Sequence, residues 1–407
     1  MSRFTLDRRP LAVPAFRRLW TASAVCAVGG SFSVVAVPAQ LFAMTGSSAA
    51  VGAAAGVSFG ALVTASLWAG ARADVMDRRR LLLAAHCGLA LTYAGLWAQQ
   101  AAGLRSVAVL LALVACQGAT FGTIMVTTGA VVPRLVPAGL LAAANSLSSL
   151  ARYSGSVIGP LLAGVLIPVT GLGSLYLFDA LALLAVVWAV FRLPPIPAPE
   201  GGRGSTPAQV LAGFRYLAGN RVLVAVLAVD LAAMVFGMPS AVLPELAGTV
   251  HGGPAGGGVE LGLLYAAYPA GVFAAGLLSG TFTRARRQGA LMAWAAAVWG
   301  VTVVLLGLAG QLWQALAALL LGGAANFLLS TFRNAITQAH TDDAVRGRVQ
   351  GSLTVVLVGG PQIGNLLHGT AAAAYGPQVT ICAGGLLTVA AVALIARAAP
   401  GLRRYAG

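Results

Sequence analysis

Runs of about 20 mainly apolar residues recur along the whole of this 407-residue chain, broken only by short polar turns. A helix rises ~1.5 Å per residue, so each such run crosses the ~30 Å hydrocarbon core of a bilayer. Hydrophobic residues make up 58% of the chain and charged ones 9%, against roughly a quarter charged in a soluble domain. The class is a polytopic all-α membrane protein.

Twelve spans are predicted, at about 16 to 43, 49 to 71, 81 to 101, 106 to 132, 140 to 168, 174 to 192, 221 to 246, 258 to 281, 290 to 309, 312 to 338, 349 to 373 and 377 to 397. The net charge of +15 comes from 25 basic residues, every one an arginine. Of the arginines that lie outside the spans, only Arg105 falls on the side opposite to the others. Orientation, not nucleic acid, explains the charge: the positive-inside rule puts both termini in the cytoplasm of a bacterial inner membrane. The first span follows Arg3 to Arg18 without a small-residue cleavage site and is too long for a signal peptide, so it should stay in the mature chain.

The same composition excludes several functions. Without lysine there is no Walker phosphate loop, hence no ATP-driven motor. Cys26, Cys87, Cys116 and Cys382 lie in apolar runs without paired spacing, and His86, His251, His340 and His368 are scattered, so neither disulfide, metal nor cofactor is expected.

The longest polar stretch, "LPPIPAPEGGRGSTPAQVLAGFRYLAGNR" from 193 to 221, reads as a cytoplasmic linker with an amphipathic piece around Phe214 to Leu217. It divides the chain into an N-terminal six-helix bundle (1–192), the linker (193–220) and a C-terminal six-helix bundle (221–407). The halves repeat: at an offset of 205, "GSVIGPLLAG" at 155 to 164 matches "GPQIGNLLHG" at 360 to 369 in six of ten positions. Each copy falls in the fifth span of its half. The basic turns after spans two and eight, from Gly70 and from Gly280, correspond as well.

The turn "AGARADVMDRRRLLL", residues 69 to 83, packs two aspartates and four arginines into nine positions. Two six-span halves with a charged turn after span two resemble the major facilitator superfamily of secondary transporters. Gly70, Ala73, Asp74, Arg78 and Arg79 fit that superfamily's turn; Arg72 and Asp77 stand where leucine and glycine are usual. The resemblance implies that Asp74, with Gly70, Arg78 and Arg79, latches the cytoplasmic side closed against a helix terminus of the other half, where a carboxylate gains ~0.3 to 1 kcal/mol. Simple positive-inside anchoring also accounts for Arg78 to Arg80.

Gly155, Gly159, Pro160 and Gly164 resemble the signature of export members, with Ala163 replacing one glycine. Bare backbone permits close helix approach, and Pro160 bends the helix; generic packing uses the same residues. The arginine that drug and proton antiporters often carry three residues before the Gln-Gly of span four is replaced by Val114, before Gln117 and Gly118. "LAGFRYLAGNRVL", "VLPELA", "LGLLYAAYPAGVFAAGLLSG", "GALM", "PAFRRLW", "AVPAQLFAMTGSS" and "DDAVRGRV" resemble the branch of the enterobactin (siderophore) exporters, which also holds macrolide and other drug efflux proteins.

Charges inside spans are expensive and therefore mark candidate sites, at ~2.5 to 3.5 kcal/mol each on insertion scales. Asp230, about nine residues into span seven, is the predicted proton-coupling residue, with Asp179 in "YLFDAL" of span six as a second. Arg152 in span five is a partner for Asp230 or an attractor of anionic cargo; Arg333 in span ten snorkels or pairs with Asp342 or Asp343. Polar and aromatic residues fill in a predicted substrate cavity: Phe32, Gln40, Gln117, Phe121, Met234, Phe236, Tyr265, Tyr268, Asn326, Gln362, Asn365 and His368. For each, packing is the competing role.

The whole predicts a monomeric secondary exporter that moves a small amphipathic molecule, a siderophore first and a drug or macrolide second, in exchange for protons by alternating access. A polytopic membrane enzyme is disfavoured because the ten acids are scattered, not clustered at helix ends.

Overall fold

The computed structural model of the protein describes residues 7–73, 75–197, 207–254, 257–278, 287–341 and 345–404. Lipid offers backbone groups no hydrogen bonds, so each apolar run closes its own as a helix. The order is α1 (Pro14–Gly29), α2 (Ser33–Thr45), α3 (Ser48–Ala73), α4 (Arg78–Ala101), α5 (Val107–Leu135), α6 (Leu141–Phe191), α7 (Pro207–Gly219), α8 (Arg221–Phe236), α9 (Leu243–Thr249), α10 (Val259–Leu277), α11 (Gln288–Leu308), α12 (Leu312–Ala339), α13 (Arg346–Tyr375), α14 (Pro377–Ala398) and α15 (Pro400–Arg404).

The membrane spans follow from these. Ten stretches of the described residues are long and apolar enough to cross a bilayer, α1 with α2 and α8 with α9 each counting as one. The 51 residues of α6 would make a rod of about 76 Å, more than twice the hydrocarbon thickness. It breaks at Gly171, where φ is 77° and ψ is 165°. That left-handed region is open to glycine and strained for other residues, so the chain turns back there. With α6 counted as two spans and the 30-residue α13 added, twelve segments cross the membrane in two six-helix sets, the major facilitator architecture. The predicted boundaries lie within a few residues of the helices observed.

Side chains at the helix starts satisfy the orphan amides there. Asp77 caps α4, Ser106 caps α5, and Asn220 caps α8 by accepting from the Val222 and Leu223 amides at 2.9 and 3.3 Å. Gln311 and Gln314 form a reciprocal capping box at the start of α12.

Packing divides the chain into two compact units, residues 1–37 with 57–206, and residues 38–56 with 207–407. In the first unit α6 packs against α1 and α4, around a core that includes Leu19, Leu82, Val131, Val186 and Val190. In the second, α11 packs against α12 and α14, and α10 against α12. The amphipathic α7 groups with this unit: Leu217 packs with Leu223, Val349 and Leu353, and the Tyr216 hydroxyl donates to the His340 carbonyl at 3.1 Å.

The internal repeat is a repeat of helix seams. In the first unit Gly155 and Gly159 lie against α1 so closely that a Cβ on Gly155 would stand 2.1 Å from the Ala27 carbonyl oxygen, and one on Gly159 2.4 Å from the Ser31 Cβ. In the second unit the matching Gly360 and Gly364 lie against Met234 and Val235 of α8, with a Cβ on Gly364 only 2.6 Å from the Met234 carbonyl oxygen. Span five meets span one, and span eleven meets span seven, through the same bare backbone.

Candidate transport site and charged turn

Spans one and seven break at corresponding places, and the polar residues of each unit gather at the breaks. Span one is interrupted between Gly29 and Ser33, and span seven between Phe236 and Leu243. At the offset of 205, Phe32 corresponds to Gly237, so the repeat carries the break along with the glycine seam. Each break frees backbone groups at membrane depth, where an unpaired one costs several kcal/mol, about 2 to 7 by the reference state chosen.

In the first unit an aspartate answers that need. Asp179 is fully buried, and its Oδ2 accepts from the Ser33 amide at 2.8 Å and from the Ser33 hydroxyl, with the Phe32 amide donating as well. A carboxylate at the first turn of α2 also meets the positive end of that helix. The Ser33 hydroxyl bonds Tyr93 in turn, and the Gln117 amide donates to the Tyr93 hydroxyl at 3.3 Å. A polar chain thus runs from span six through spans one and three to span four. Phe32 covers it, edge-on to Phe178 at 6.3 Å between ring centres. Ser33 and Tyr93 are absent from the sequence-derived site; the only signal for Ser33 is "GGSFS", a helix-start pattern inside an apolar run.

In the second unit neutral groups do the same work. Asn365 Oδ1 accepts from the Ala241 amide at 3.0 Å, and the Tyr265 hydroxyl donates to the Ser240 carbonyl at 3.0 Å. The Trp299 ring nitrogen donates to the Ala233 carbonyl at 3.1 Å, and Tyr268 leans on that ring at 5.3 Å. The place of Asp179 in the repeat is taken by Gly384, whose missing side chain leaves room for the His368 ring and the Phe236 carbonyl. Trp299 is 2% exposed, and nothing in the sequence sets it apart from its many apolar neighbours.

Asp230 and Arg333 form a buried ion pair in the same unit. Asp230, fully buried on α8, accepts at Oδ1 from Arg333 Nη1 of α12 at 2.8 Å; Arg333 is 6% exposed. The rest of the guanidinium, Nε and Nη2, donates to Asn334 Oδ1 at 3.3 and 3.2 Å. Asp230 Oδ2 is buried without a hydrogen-bond partner. The pairing differs from expectation: the partner of Asp230 is Arg333, not Arg152, and Arg333 turns inward instead of snorkelling. Asp342 and Asp343 lie outside the described residues. Arg152 is exposed, with its guanidinium 5.5 Å from the Tyr153 ring centre and 3.4 Å from the Ser149 hydroxyl.

The remaining cavity candidates are distributed over both units. Gln40 is 2% exposed on α2 and Phe121 50% exposed on α5. Met234, Phe236, Asn326 and Gln362 are half-buried on α8, α12 and α13. Gly164 is buried on α6.

At the charged turn after span two Asp74 lies outside the described residues, and Gly70 is half-buried near the end of α3. Asp77, the departure from the superfamily pattern, caps α4 by accepting from the Arg79 amide at 2.8 Å and also accepts from the Ile196 amide at 3.3 Å. Arg78 returns a bond from its own amide to the Ile196 carbonyl at 3.0 Å, while its guanidinium reaches the Ala73 and Ala130 carbonyls. Arg79 bonds the Phe191 carbonyl and lies over the Phe191 ring at 5.6 Å. The charge cluster fastens the start of span three to the strand of chain that leaves span six.

Twelve helical spans in two sets, related by a repeat that carries both seam and helix break, define a major facilitator transporter. The chain belongs to the transmembrane secretion effector family, whose pattern it matches over residues 7–403. It is 29% identical over 396 residues to the enterobactin exporter EntS of Shigella boydii, covering 96% of this chain and 93% of that one. The Escherichia coli EntS is 28% identical over the same coverage. Among solved structures, the nucleoside transporter NupG superposes with a TM-score of 0.76 at 12% identity, covering 96% of this chain and 99% of that one. A bacterial homologue of the iron transporter ferroportin in an inward-facing state gives 0.70 at 15%, with 96% and 99% covered. These structural likenesses concern the fold. The chain is a multi-pass inner-membrane transporter of small molecules.

Proposed function

We propose that this protein exports a siderophore or a closely similar amphipathic molecule from the cytoplasm, by alternating access, in exchange for protons. The observation that carries the direction and the cargo is the full-length likeness to chains named enterobactin exporters. It extends over 396 residues, so every span has a counterpart. The arginine-rich turns face the cytoplasm in this reading, with both termini on that side.

Coupling falls to Asp230. Its carboxylate is fully buried, with one oxygen on Arg333 and the other unpaired. Adding a proton there removes the charge that holds Arg333 and leaves the cation free for other acceptors. A proton therefore changes what the two facing states can bind, which is what coupling requires. Asp179 is the second proton site; its protonation would weaken the cap on α2. Asp74, with Gly70, Arg78 and Arg79, forms the inner latch, and the aromatic and amide side chains from Phe32 to Asn365 provide contacts for ring-bearing cargo. The resident bilayer and protons are the other partners, and the monomer is the working unit.

The test is uptake into inside-out vesicles with an acid interior, using a siderophore, a macrolide and a vesicle blank. Siderophore accumulation driven by the gradient is expected. Accumulation of the macrolide alone overturns the cargo while preserving export, and accumulation of neither overturns the proposal.

A further inference from the structure

The arginine-rich end of the second unit holds a groove of about 1040 Å³ between α11 and α14, away from the residues discussed so far. Its walls are short: Ala293 and Ala297 on α11 face Ala393 on α14, with Trp294 beside them. At its end stand Arg287, just before α11, and Arg397, in the last turn of α14. Both arginines are exposed, and neither forms an ion pair among the described residues. Trp294 is 70% exposed, and Leu305, Leu308, Leu386, Leu387 and Leu394 on the same two helices are exposed as well, so this side of the pair faces lipid.

From these features we infer that the groove is a binding site for one anionic phospholipid of the leaflet on the arginine-rich side. The length fits. Ten residues separate Arg287 from Ala297, which is about 15 Å along the helix, the depth of one leaflet's hydrocarbon. An acyl chain lies along the alanines, and the phosphate lies between the two guanidiniums, whose five-donor forks suit phosphate oxygens. The amino end of α11 adds its positive pole at the same level. Trp294 supplies the amphipathic ring that interfaces favour.

The short α15 closes the floor. The chain leaves helical geometry at Ala399 and folds back so that Leu402 lies over Gly289, where a Cβ would stand 1.9 Å from the Leu402 carbonyl oxygen. The sequence places Arg284, Arg286, Arg403 and Arg404 in the flanking segments, all basic and none acidic. The inference rests on the membrane orientation proposed above and not on the cargo or the coupling residue.

Native mass spectrometry of the purified full chain, titrated with phosphatidylglycerol or phosphatidylcholine, tests it. The wild type should retain one phosphatidylglycerol in clear preference to phosphatidylcholine. Each arginine near the surface contributes about fivefold to binding an anionic lipid, so Arg287→Gln with Arg397→Gln should lower that preference about 30-fold. Ala393→Trp, at an exposed position, should displace the lipid by filling the groove without touching the charge. Arg105→Gln on the other face should leave the preference unchanged. Soluble glycerophosphoglycerol, which has the headgroup and no chains, should not compete. Equal binding of the two lipids, an unchanged preference in the double variant, or a dimer of chains in place of the lipid adduct would each overturn the inference, and a transport result would not bear on it.

Discussion

Removing Arg333 alone should damage the protein more than removing both members of its ion pair. Asp230 is fully buried and Arg333 nearly so, so water does little to screen either group. Arg333→Gln leaves the Asp230 carboxylate with no cation at 2.8 Å, and one of its oxygens already lacks a partner. Loss of one member of a buried pair costs about 3 to 5 kcal/mol. Protonation sets a ceiling: neutralising an ordinary aspartate costs about 4 kcal/mol at pH 7 and about 1.5 kcal/mol at pH 5. The damage should therefore be large at pH 7 and much smaller at pH 5, because the stranded acid takes up its proton more cheaply as pH falls. Asp230→Asn strands a guanidinium that cannot lose its proton, so that variant should show no such recovery. The double variant, neutral on both sides, should lie closer to the wild type than either single one, with a coupling of about 2 kcal/mol or more. Unfolding midpoints of the four proteins in one detergent, at both pH values, give the cycle. Additive effects, or an Arg333→Gln penalty independent of pH, would refute the reasoning.

Other variants test the seam and the helix breaks by the same melting measurement. Gly155→Ala puts a methyl 2.1 Å from the Ala27 carbonyl oxygen and should cost about 1 to 3 kcal/mol, while Gly129→Ala, with nothing within 4 Å, should be neutral or stabilising. Asp179→Ala should cost about 1 to 3 kcal/mol by leaving the Ser33 amide unpaired in the membrane, and Asp179→Asn, which keeps an acceptor, should cost less. Asp77→Ala should cost about 1 kcal/mol through loss of the α4 cap and should expose the chain around Ile196 to protease.

The spans were legible in the sequence because the bilayer imposes one length and one polarity on every crossing. Gly155 and Gly364 could be read too, since a seam that needs bare backbone leaves glycines at matching positions in both halves. The ion pair was not readable: Asp230 and Arg333 lie 103 residues apart, and no periodicity within either helix points to the other. Arg152 looked equally eligible because charge inside a span announces itself and its partner does not. The work of Asp77 was hidden by the superfamily pattern, which directs attention to Asp74, whereas capping depends on the turn at the start of α4. Trp299, Tyr93 and Ser33 gave little signal because their partners, the Ala233 carbonyl, Gln117 and Asp179, lie in other helices and far along the chain.

Cargo-driven proton movement tests the central claim most directly. Proteoliposomes carrying a trapped pH dye, with the cargo added on one side and no imposed gradient, should show the protein moving protons against the cargo. Asp230→Asn should still bind cargo but abolish the dye response. A response of wild-type size in Asp230→Asn would contradict the account.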